Sequence, residues 1–413
     1  MHRLNHLARV AAMGAVVALA ACDSNNSVLG SRVPATGDIF KSYVALGNSI
    51  TAGFQSNGIN DSTQRQSYAR LLAIQMGTQY HYASLAMPGC TPPIANTQTG
   101  ALVGTGSTDK TCLLRVGTSV TDILNNVAVP GARVLDPISA STVASNALTT
   151  FILGGKTQVA RALDASPTFV TIWIGNNDVL GAALSGILVP QPALNQAGII
   201  STQAQFQASY DTMIQQLTDG APGIRGVLIG VAQVANLPSM SSAALIASSP
   251  AIQAGINAAT GKTVTIHPNC TGSAALIDIP QLLVLIRNDK HPAIIACDKA
   301  TPNLPFPVGD LFVLDAAEQA TLSATIAGYN AYIAQKAAAV GFAFYDPNIL
   351  FAAKRANFEL PPFPNLASAT LTFGNLISLD GVHPAAAAHQ LIANAIRVLH
   401  VANSAPNIRS KRR

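Results

Sequence analysis

A serine follows the first apolar segment of the chain, in a turn flanked by two glycines. The segment reads Val44-Ala-Leu-Gly47-Asn-Ser49-Ile-Thr-Ala-Gly53. Glycine permits a tight turn from a strand into a helix, and such a turn exposes a serine hydroxyl at the sheet edge beside backbone N–H groups. That placement suits a nucleophile, although a Gly-Asn-Ser sequence is more often an ordinary turn.

An aspartate and a histidine three residues apart lie near the C-terminus, in Ser378-Leu-Asp380-Gly-Val-His383-Pro384. At this spacing the aspartate reaches the imidazole within one tight turn, fixes its tautomer and leaves the other ring nitrogen as a base. Pro384 suits the first turn of the Ala-rich helix that follows. Taken alone, the motif is more often a surface aspartate and a capping histidine.

Polar residues also end another apolar segment, in Trp173-Ile-Gly175-Asn-Asn177-Asp178. Side-chain amides at a strand end can donate hydrogen bonds into a pocket. The alternative is helix capping, because Asn and Asp are good N-caps.

Apolar segments and helix-like sequence predict the elements that position these residues. Strands separated by helices favour an α/β domain whose parallel sheet is covered on both faces, with functional groups at the carboxyl ends of the strands. The predicted strands are Tyr43–Leu46, His81–Ala86, Thr168–Ile174, Gly226–Val231 and Phe342–Tyr345, and the predicted helices include Ser67–Met76, Ala316–Ala339 and Ala385–Val401.

Three connections, 87–147, 179–225 and 232–315, are far longer than crossovers require. We interpret them as insertions that decorate one catalytic core. Within the last of them, the apolar run Leu276–Ile286 is either buried or a lipid-facing flap, and burial is the more common explanation.

The three motifs together, in this order, resemble those of the SGNH/GDSL hydrolase family of esterases and lipases. Gly47-Asn-Ser49-Ile corresponds to its first block, Gly175-x-Asn177-Asp178 to its fifth and Asp380-x-x-His383 to its last. The resemblance implies a three-layer α/β/α flavodoxin-like fold with a mainly parallel five-stranded sheet and long insertions. It also implies Ser49 as the nucleophile, His383 as its base, Asp380 as the orienter of that base, and Asn177 with the Ser49 N–H in the oxyanion hole. No metal or organic cofactor is implied.

Two glycines compete for the remaining oxyanion donor that the resemblance implies. Asn126-Val-Ala-Val-Pro-Gly131 is similar to the family's second block, whereas Leu85-Ala-Met-Pro-Gly89 lies just after the predicted second strand. We favour Gly131 and keep Gly89 as the alternative. The chain also departs from the family name, because Asn48 stands where the family has Asp. We expect activity to survive this loss of charge, since His383 and Asp380 supply the base.

The N-terminus predicts a bacterial lipoprotein signal over residues 1–21. Basic residues precede the apolar run Val10–Ala20, and Leu19-Ala-Ala-Cys22 resembles the box in which the cysteine is lipidated. Ordinary cleavage after Ala21 is the alternative. Residues 22–40 then form a flexible tether, 41–402 the hydrolase domain and 403–413 a basic tail.

Export changes how the other cysteines are interpreted. With Cys22 set aside, four remain and none forms a CxxC motif, so zinc ligation is not expected. In an oxidising compartment the natural disulfides are Cys90–Cys112 and Cys270–Cys297, although sequence does not exclude other pairings.

Composition excludes several classes of protein. The chain of 413 residues is 49% hydrophobic and 10% charged, whereas a disordered chain has low hydrophobicity and high charge. After residue 40, no apolar run reaches the roughly 18 residues that a membrane-spanning helix needs, so a polytopic membrane protein is not expected. The net charge of +5 comes from the two ends of the chain, which hold six of the 24 Lys and Arg and no Asp or Glu. The rest of the chain has 24 − 6 = 18 Lys and Arg against 19 Asp and Glu, a charge of −1. No nucleic-acid partner is expected.

The sequence therefore predicts an exported, lipid-anchored serine ester hydrolase of the bacterial cell envelope, acting on a small-molecule or lipid ester. An O-deacetylase of acetylated polysaccharide is the alternative within the family. A catalytically silent surface lipoprotein that binds ligand is the alternative outside the enzyme class, and the intact set of Ser, Asn, Asp and His argues against it.

Overall fold

The computed structural model describes residues 38–104, 123–139, 147–192, 200–298, 312–368, 370 and 372–404. The predicted signal segment, Cys22, Cys112 and the tail beyond residue 404 lie outside these ranges. No helix in the described ranges is long and apolar enough to cross a membrane.

Short strands alternate with helices along the chain. The strands are β1 Tyr43–Gly47, β2 Ile94–Asn96, β3 Ala101–Leu102, β4 Phe169–Trp173, β5 Arg225–Ile229, β6 Met240–Ser242, β7 Thr265–Ile266, β8 Leu276–Asp278, β9 Ile294–Ile295, β10 Val313–Leu314 and β11 Ala343–Tyr345. The helices are α1 Ser49–Ala52, α2 Asp61–Arg65, α3 Tyr68–Met76, α4 Ala147–Leu153, α5 Gln158–Asp164, α6 Asn177–Ser185, α7 Gln203–Gly220, α8 Ala243–Ser248, α9 Pro250–Thr260, α10 Ile279–Arg287, α11 Ala316–Val340, α12 Pro347–Ala356 and α13 Ala386–Ser404.

A parallel sheet with the order β1-β4-β5-β11 forms the centre of the fold. Gly47 at the end of β1 pairs with Trp173 at the end of β4, which in turn pairs with Ile229 at the end of β5. The strands therefore finish together, and the loops that follow β1 and β4 meet at one edge of the sheet.

Alternate residues of these strands pack against helices on opposite faces. Val44 and Leu46 belong to a core shared with α7 and α11, whereas Tyr43 and Ala45 belong to a second core shared with α3 and α13. A sheet covered on both faces gives three layers, so the predicted α/β/α fold class is confirmed.

The strand predicted at His81–Ala86 is wrong. This segment contains only isolated bridge residues, one of them Tyr82, and the place beside β1 is taken by a later segment, residues 125–129. Ala45 donates to the Asn125 carbonyl at 2.7 Å, and Val129 donates to the Gly47 carbonyl at 3.1 Å. Tyr82 bridges Asn126 on the far side of residues 125–129, but no regular strand forms over 81–86. The parallel sheet of the described residues therefore has four strands and not the predicted five.

The interpretation of residues 179–225 as decoration is also wrong. This region contains α7, whose Phe206, Tyr210 and Met213 are buried in the first core. A parallel pair of strands needs a crossover, and α7 is the crossover from β4 to β5.

The insertion, residues 232–315, has a core of its own within its described part. Antiparallel strands in the order β10-β8-β6 pack with α8, α9 and α10 around a separate apolar cluster. The Cys270–Cys297 disulfide lies in this cluster and confirms one predicted pairing. Cys90 is disulfide-bonded too. Ile279, Leu283 and Ile286 of α10 are buried, so the apolar run is core and not a flap.

The predicted helices that flank the site are confirmed within one to three residues at each end. Ser67 caps α3 by accepting from the Arg70 N–H. Asp315 and Glu318 form a capping box at the start of α11, which satisfies two N–H groups that the first turn leaves unpaired.

Candidate active site

Ser49 lies at the first turn after β1. Gly47 has φ of +151°, and a Cβ at this position would lie 2.4 Å from the Trp173 carbonyl oxygen of β4. Only glycine permits so close an approach. The chain can therefore leave β1 beside the end of β4 and enter α1 directly with Ser49, which is buried.

Asn48 caps α1 and replaces the aspartate of the family name. Its Oδ1 accepts from the Ile50 N–H at 3.0 Å, so its Nδ2 faces the other way and donates to Asn176 Oδ1 at 3.3 Å. Asn48 is fully buried. A neutral amide here pairs two loops without placing a charge in the interior.

His383 contacts the serine hydroxyl directly. Its Nε2 lies 2.9 Å from Ser49 Oγ, across 334 positions of sequence. The imidazole ring packs on Phe54, with a centroid separation of 4.9 Å. The sequence prediction that these two residues meet agrees with this geometry, and the distance permits proton transfer between them.

Asp380 is held by donors on both carboxylate oxygens. Oδ2 lies 2.8 Å from His383 Nδ1 and accepts from the Asn57 N–H at 2.9 Å. Oδ1 accepts from the Val382 and His383 N–H groups and from Ser378 Oγ. Burial raises the pKa of Asp380, but the imidazole and these donors outweigh it and lower the pKa to about 2. The ionised carboxylate therefore orients His383 with Nδ1 as the donor.

A cavity of about 350 Å³ opens beside Ser49 and His383. Most of its lining is apolar, and no described residue that lines it is Asp or Glu. The apolar lining comes from Ile50, Leu180, Ala232, Val234, Leu237, Pro238, Phe351, Ala352, Ala356, Leu360, Ile377, Val382 and Pro384, and the polar part from Asn176, Asn177, Gln233, Asn236, Asn348 and Arg355. Such a cavity suits a hydrocarbon group next to the reactive hydroxyl.

Asn177 and Gly131 lie on neighbouring loops. Asn177 Nδ2 donates to the Ala132 carbonyl at 2.9 Å, one residue after Gly131. Gly131 is exposed, has φ of +81° and follows residues 125–129, which run beside β1 to the edge where Ser49 lies. Asn177 lines the cavity together with Ser49, and its side chain holds the loop of Gly131.

Gly89 lies in a different environment. It is buried, and a Cβ on it would lie 2.6 Å from the Ile59 carbonyl oxygen. Neither Gly89 nor Gly131 lines the cavity. The contact of Asn177 with the loop of Gly131 favours Gly131 as the oxyanion glycine.

Asp178 positions this loop, a role that the sequence analysis missed. Its Oδ2 accepts from the Val134 N–H at 2.9 Å, and its Oδ1 accepts from Ser201 Oγ at 2.5 Å and lies 3.7 Å from Arg133 Nε. Burial raises its pKa to about 6 against these contacts. The signal in the sequence was its place directly after Asn177, since a buried carboxylate at a strand end needs donors from a neighbouring loop.

A three-layer α/β/α fold in which a serine after β1 contacts a histidine and aspartate from the loop before α13 is typical of the class of serine hydrolases. Comparison with protein families is more specific. The model of the GDSL-like lipase/acylhydrolase family matches residues 43–396. The chain belongs to this family and is a hydrolase of ester bonds.

Two solved structures are similar to the chain. An extracellular lipase from Streptomyces rimosus is 16% identical, with 86% of this chain and 99% of that chain covered and a TM-score of 0.34. A protein described as a GDSL-like lipase from Parabacteroides merdae is 14% identical, with 87% and 95% covered and a TM-score of 0.34. No curated protein matches the chain.

Proposed function

We propose that the protein is an exported, lipid-anchored serine esterase that cleaves carboxylic esters through an acyl-enzyme. The observation that carries the catalytic part is the unbroken line of contacts from Ser49 Oγ through His383 to Asp380 at the mouth of an apolar cavity. An apolar cavity holds an acyl chain more readily than a sugar, which favours an esterase over a polysaccharide deacetylase.

The reaction follows from these positions. Ser49 Oγ attacks the ester carbonyl carbon while His383 Nε2 takes the hydroxyl proton, and Asp380 stabilises the imidazolium. The carbonyl oxygen, now negative, accepts from the N–H groups of Ser49 and Gly131 and from Asn177. An amide has two N–H donors, so Asn177 can hold Ala132 with one and the oxyanion with the other.

Collapse of this intermediate breaks the ester bond. His383 gives its proton to the leaving alkoxide, which departs as the alcohol and leaves the acyl group on Ser49. Water then attacks the acyl-enzyme, His383 takes a proton from it, and the acid is released with Ser49 restored.

Export and the lipid anchor are supported by two features. The first is the signal and cysteine box that end at Cys22. The second is the Cys270–Cys297 disulfide, since disulfides persist in oxidising compartments. We expect the wild-type protein to partition into detergent after export and Cys22→Ser to remove that behaviour. Equal membrane association of the variant would contradict the anchor.

Labelling by a fluorophosphonate and hydrolysis of p-nitrophenyl esters test the catalytic proposal. The wild-type protein should label with one probe per chain, and Ser49→Ala should not label. Ser49→Ala and His383→Ala should each lower kcat by about 10³ to 10⁶, with the double variant little worse than either, because the two residues act as one unit.

The exposed Ser248 provides a matched control, since Ser248→Ala removes a serine hydroxyl far from the cavity lining. This control should label and turn over as the wild type does. Retention of wild-type hydrolysis by purified Ser49→Ala would end the proposal, and a preference for acetylated glycans over alkyl esters would redirect it to deacetylation.

A further inference from the structure

One side chain of the cavity is unexplained by the reaction. Arg355 lies in the last turn of α12, and it lines the cavity together with Phe351 and Ala352 of the same helix. Among the described residues that line the cavity with Ser49 and His383, it is the one with a permanent charge. An enzyme for purely alkyl esters has no use for a cation there.

The guanidinium is half-buried and lacks a countercharge. Its Nη2 donates to the Asn236 carbonyl, and no Asp or Glu of the described residues forms an ion pair with it. The adjacent Lys354, by contrast, forms an ion pair with Glu359 at 2.8 Å. Burial lowers the pKa of Arg355, which means that the surroundings disfavour its charge.

The chemistry of an arginine in such a position is specific. A guanidinium presents five donors in a planar fork that matches a carboxylate or a phosphate, and one of its donors is used by Asn236. An anion that enters the cavity would offset the cost of burying the guanidinium and would gain charge-assisted hydrogen bonds. A neutral alkyl group would do neither.

We propose that Arg355 binds a carboxylate or phosphate carried by the ester substrate, and that the enzyme prefers anionic esters to neutral esters of the same size. This inference rests on the proposed serine esterase function. Its structural alternative is that Arg355 only ties the C-terminal end of α12 to the turn at Asn236, where a cation also complements the helix dipole.

Two matched pairs of esters test the proposal and locate the anion. The first pair carries the difference on the acyl side: mono-p-nitrophenyl glutarate against p-nitrophenyl methyl glutarate. The second carries it on the alcohol side: 1-butyrylglycerol 3-phosphate against its neutral dimethyl phosphate triester. The wild-type enzyme should have a higher kcat/KM for the anionic member of at least one pair. The preferred pair then identifies which half of the ester bears the anion.

Arg355→Met should lower the ratio of anionic to neutral kcat/KM by about 10- to 100-fold, mainly through KM, because it removes hydrogen bonds to a charged group. Lys354→Met is the control on the same helix, as it removes an ion-paired cation that does not line the cavity, and its ratio should match the wild type. Arg355→Lys keeps the charge without the fork and should retain an intermediate ratio.

The outcomes separate the inference from the proposed function. A ratio that Arg355→Met leaves unchanged would show a structural role and overturn the inference. A wild-type enzyme that cleaves both members of both pairs equally would overturn it even if Arg355→Met fails to fold. A wild-type enzyme that labels with the fluorophosphonate but cleaves none of the four esters would overturn the inference, whereas one that neither labels nor cleaves any of them would overturn the proposed function itself.

Discussion

Asp380 in the candidate active site and Asp278 in the insertion are both buried, yet their acidities are opposite. Burial raises the pKa of each carboxyl. For Asp380 the imidazole and the N–H donors outweigh burial and bring the pKa to about 2. For Asp278 burial dominates over the backbone N–H of Gln281, and the pKa rises to about 7.

The difference shows that donors, and not depth, decide the charge of a buried carboxyl. Asp178 lies between the two extremes, with contacts to Val134, Ser201 and Arg133 and a pKa of about 6. The turn that carries Asp380 supplies N–H groups from within three residues, which together with the imidazole keep this carboxyl ionised well below its usual pKa of 3.8. The turn after Asp278 supplies one backbone donor, the Gln281 N–H, and no imidazole.

The largest expected effect is on turnover, from Asp380→Asn. Asp380 Oδ1 accepts from the Val382 and His383 N–H groups, so an asparagine that keeps its oxygen there places its NH2 group, a donor, against His383 Nδ1. The neutral amide also cannot stabilise the imidazolium. We expect kcat to fall by about 10⁴-fold, the size known for this change in a serine protease triad, and by no more than in Ser49→Ala. Asp278→Asn is the matched control and should keep kcat near wild type. Equal losses in the two variants would break the distinction between the two carboxyls.

The next effect is on the oxyanion side of the site. Asn177→Ala removes the side-chain donor and should lower kcat by about 10² to 10³, with the fold retained. Circular dichroism and the melting temperature check the fold, and Asn394→Ala on the exposed face of α13 is the control. An unchanged kcat would remove Asn177 from the site and leave the backbone donors alone.

Loss of the disulfide should affect stability and leave turnover near wild type. The Cys270–Cys297 link closes a separation of 27 positions, and its removal by the double Ser variant should cost about 2 to 4 kcal/mol of unfolding free energy. Denaturant unfolding measures this cost. The insertion contacts the site where Ser239 donates to the Gly381 carbonyl. A kcat that falls as steeply as in Asp380→Asn would show that this contact transmits the loss.

The smallest effect is a pH dependence of stability. Folded Asp278 holds its proton up to about pH 7, whereas the unfolded residue releases it near its usual value of 3.8. Between these values the folded state binds more protons, so the contribution of Asp278 to stability falls as pH rises. Asp278→Asn should reduce that fall by about 2 to 4 °C in melting temperature.

The exposed Asp219 controls for charge, because Asp219→Asn changes no buried group. The contribution of Asp380 to stability changes with pH in the opposite direction. Its lowered pKa makes its contribution full above pH 3.8, and this contribution is lost as pH falls toward about 2. A melting curve of Asp278→Asn that keeps the wild-type slope from pH 4 to pH 7 would contradict the assignment.

Local sequence predicted those parts of the molecule that local rules govern. The turn after β1 and the Asp380–His383 spacing depend on a few neighbouring residues, so glycine positions and spacing were sufficient to place them. The order of strands depends on competition between distant segments. Residues 81–86 and 125–129 both suit a place beside β1, and the second segment occupies it through backbone bonds that side-chain types do not reveal.

Sequence also failed where a residue acts through its surroundings. Arg355 lies outside every sequence motif, and its position beside Ser49 and His383 is visible only from the residues that line the cavity. The helix α7 buries an apolar face, but polar residues such as Gln203, Gln205 and Gln207 lower its mean hydropathy. The sequence therefore favours an insertion where the structure has a crossover helix.

The pairing of residues 125–129 with β1 also protects the protein against aggregation. An apolar strand with a free edge is a template for intermolecular pairing and aggregation. Here the edge of β1 is covered by the same segment that delivers Gly131 to the candidate site. One stretch of chain thus covers the edge of β1 and leads into the loop of Gly131, so we expect variants that loosen it to aggregate and lose activity together.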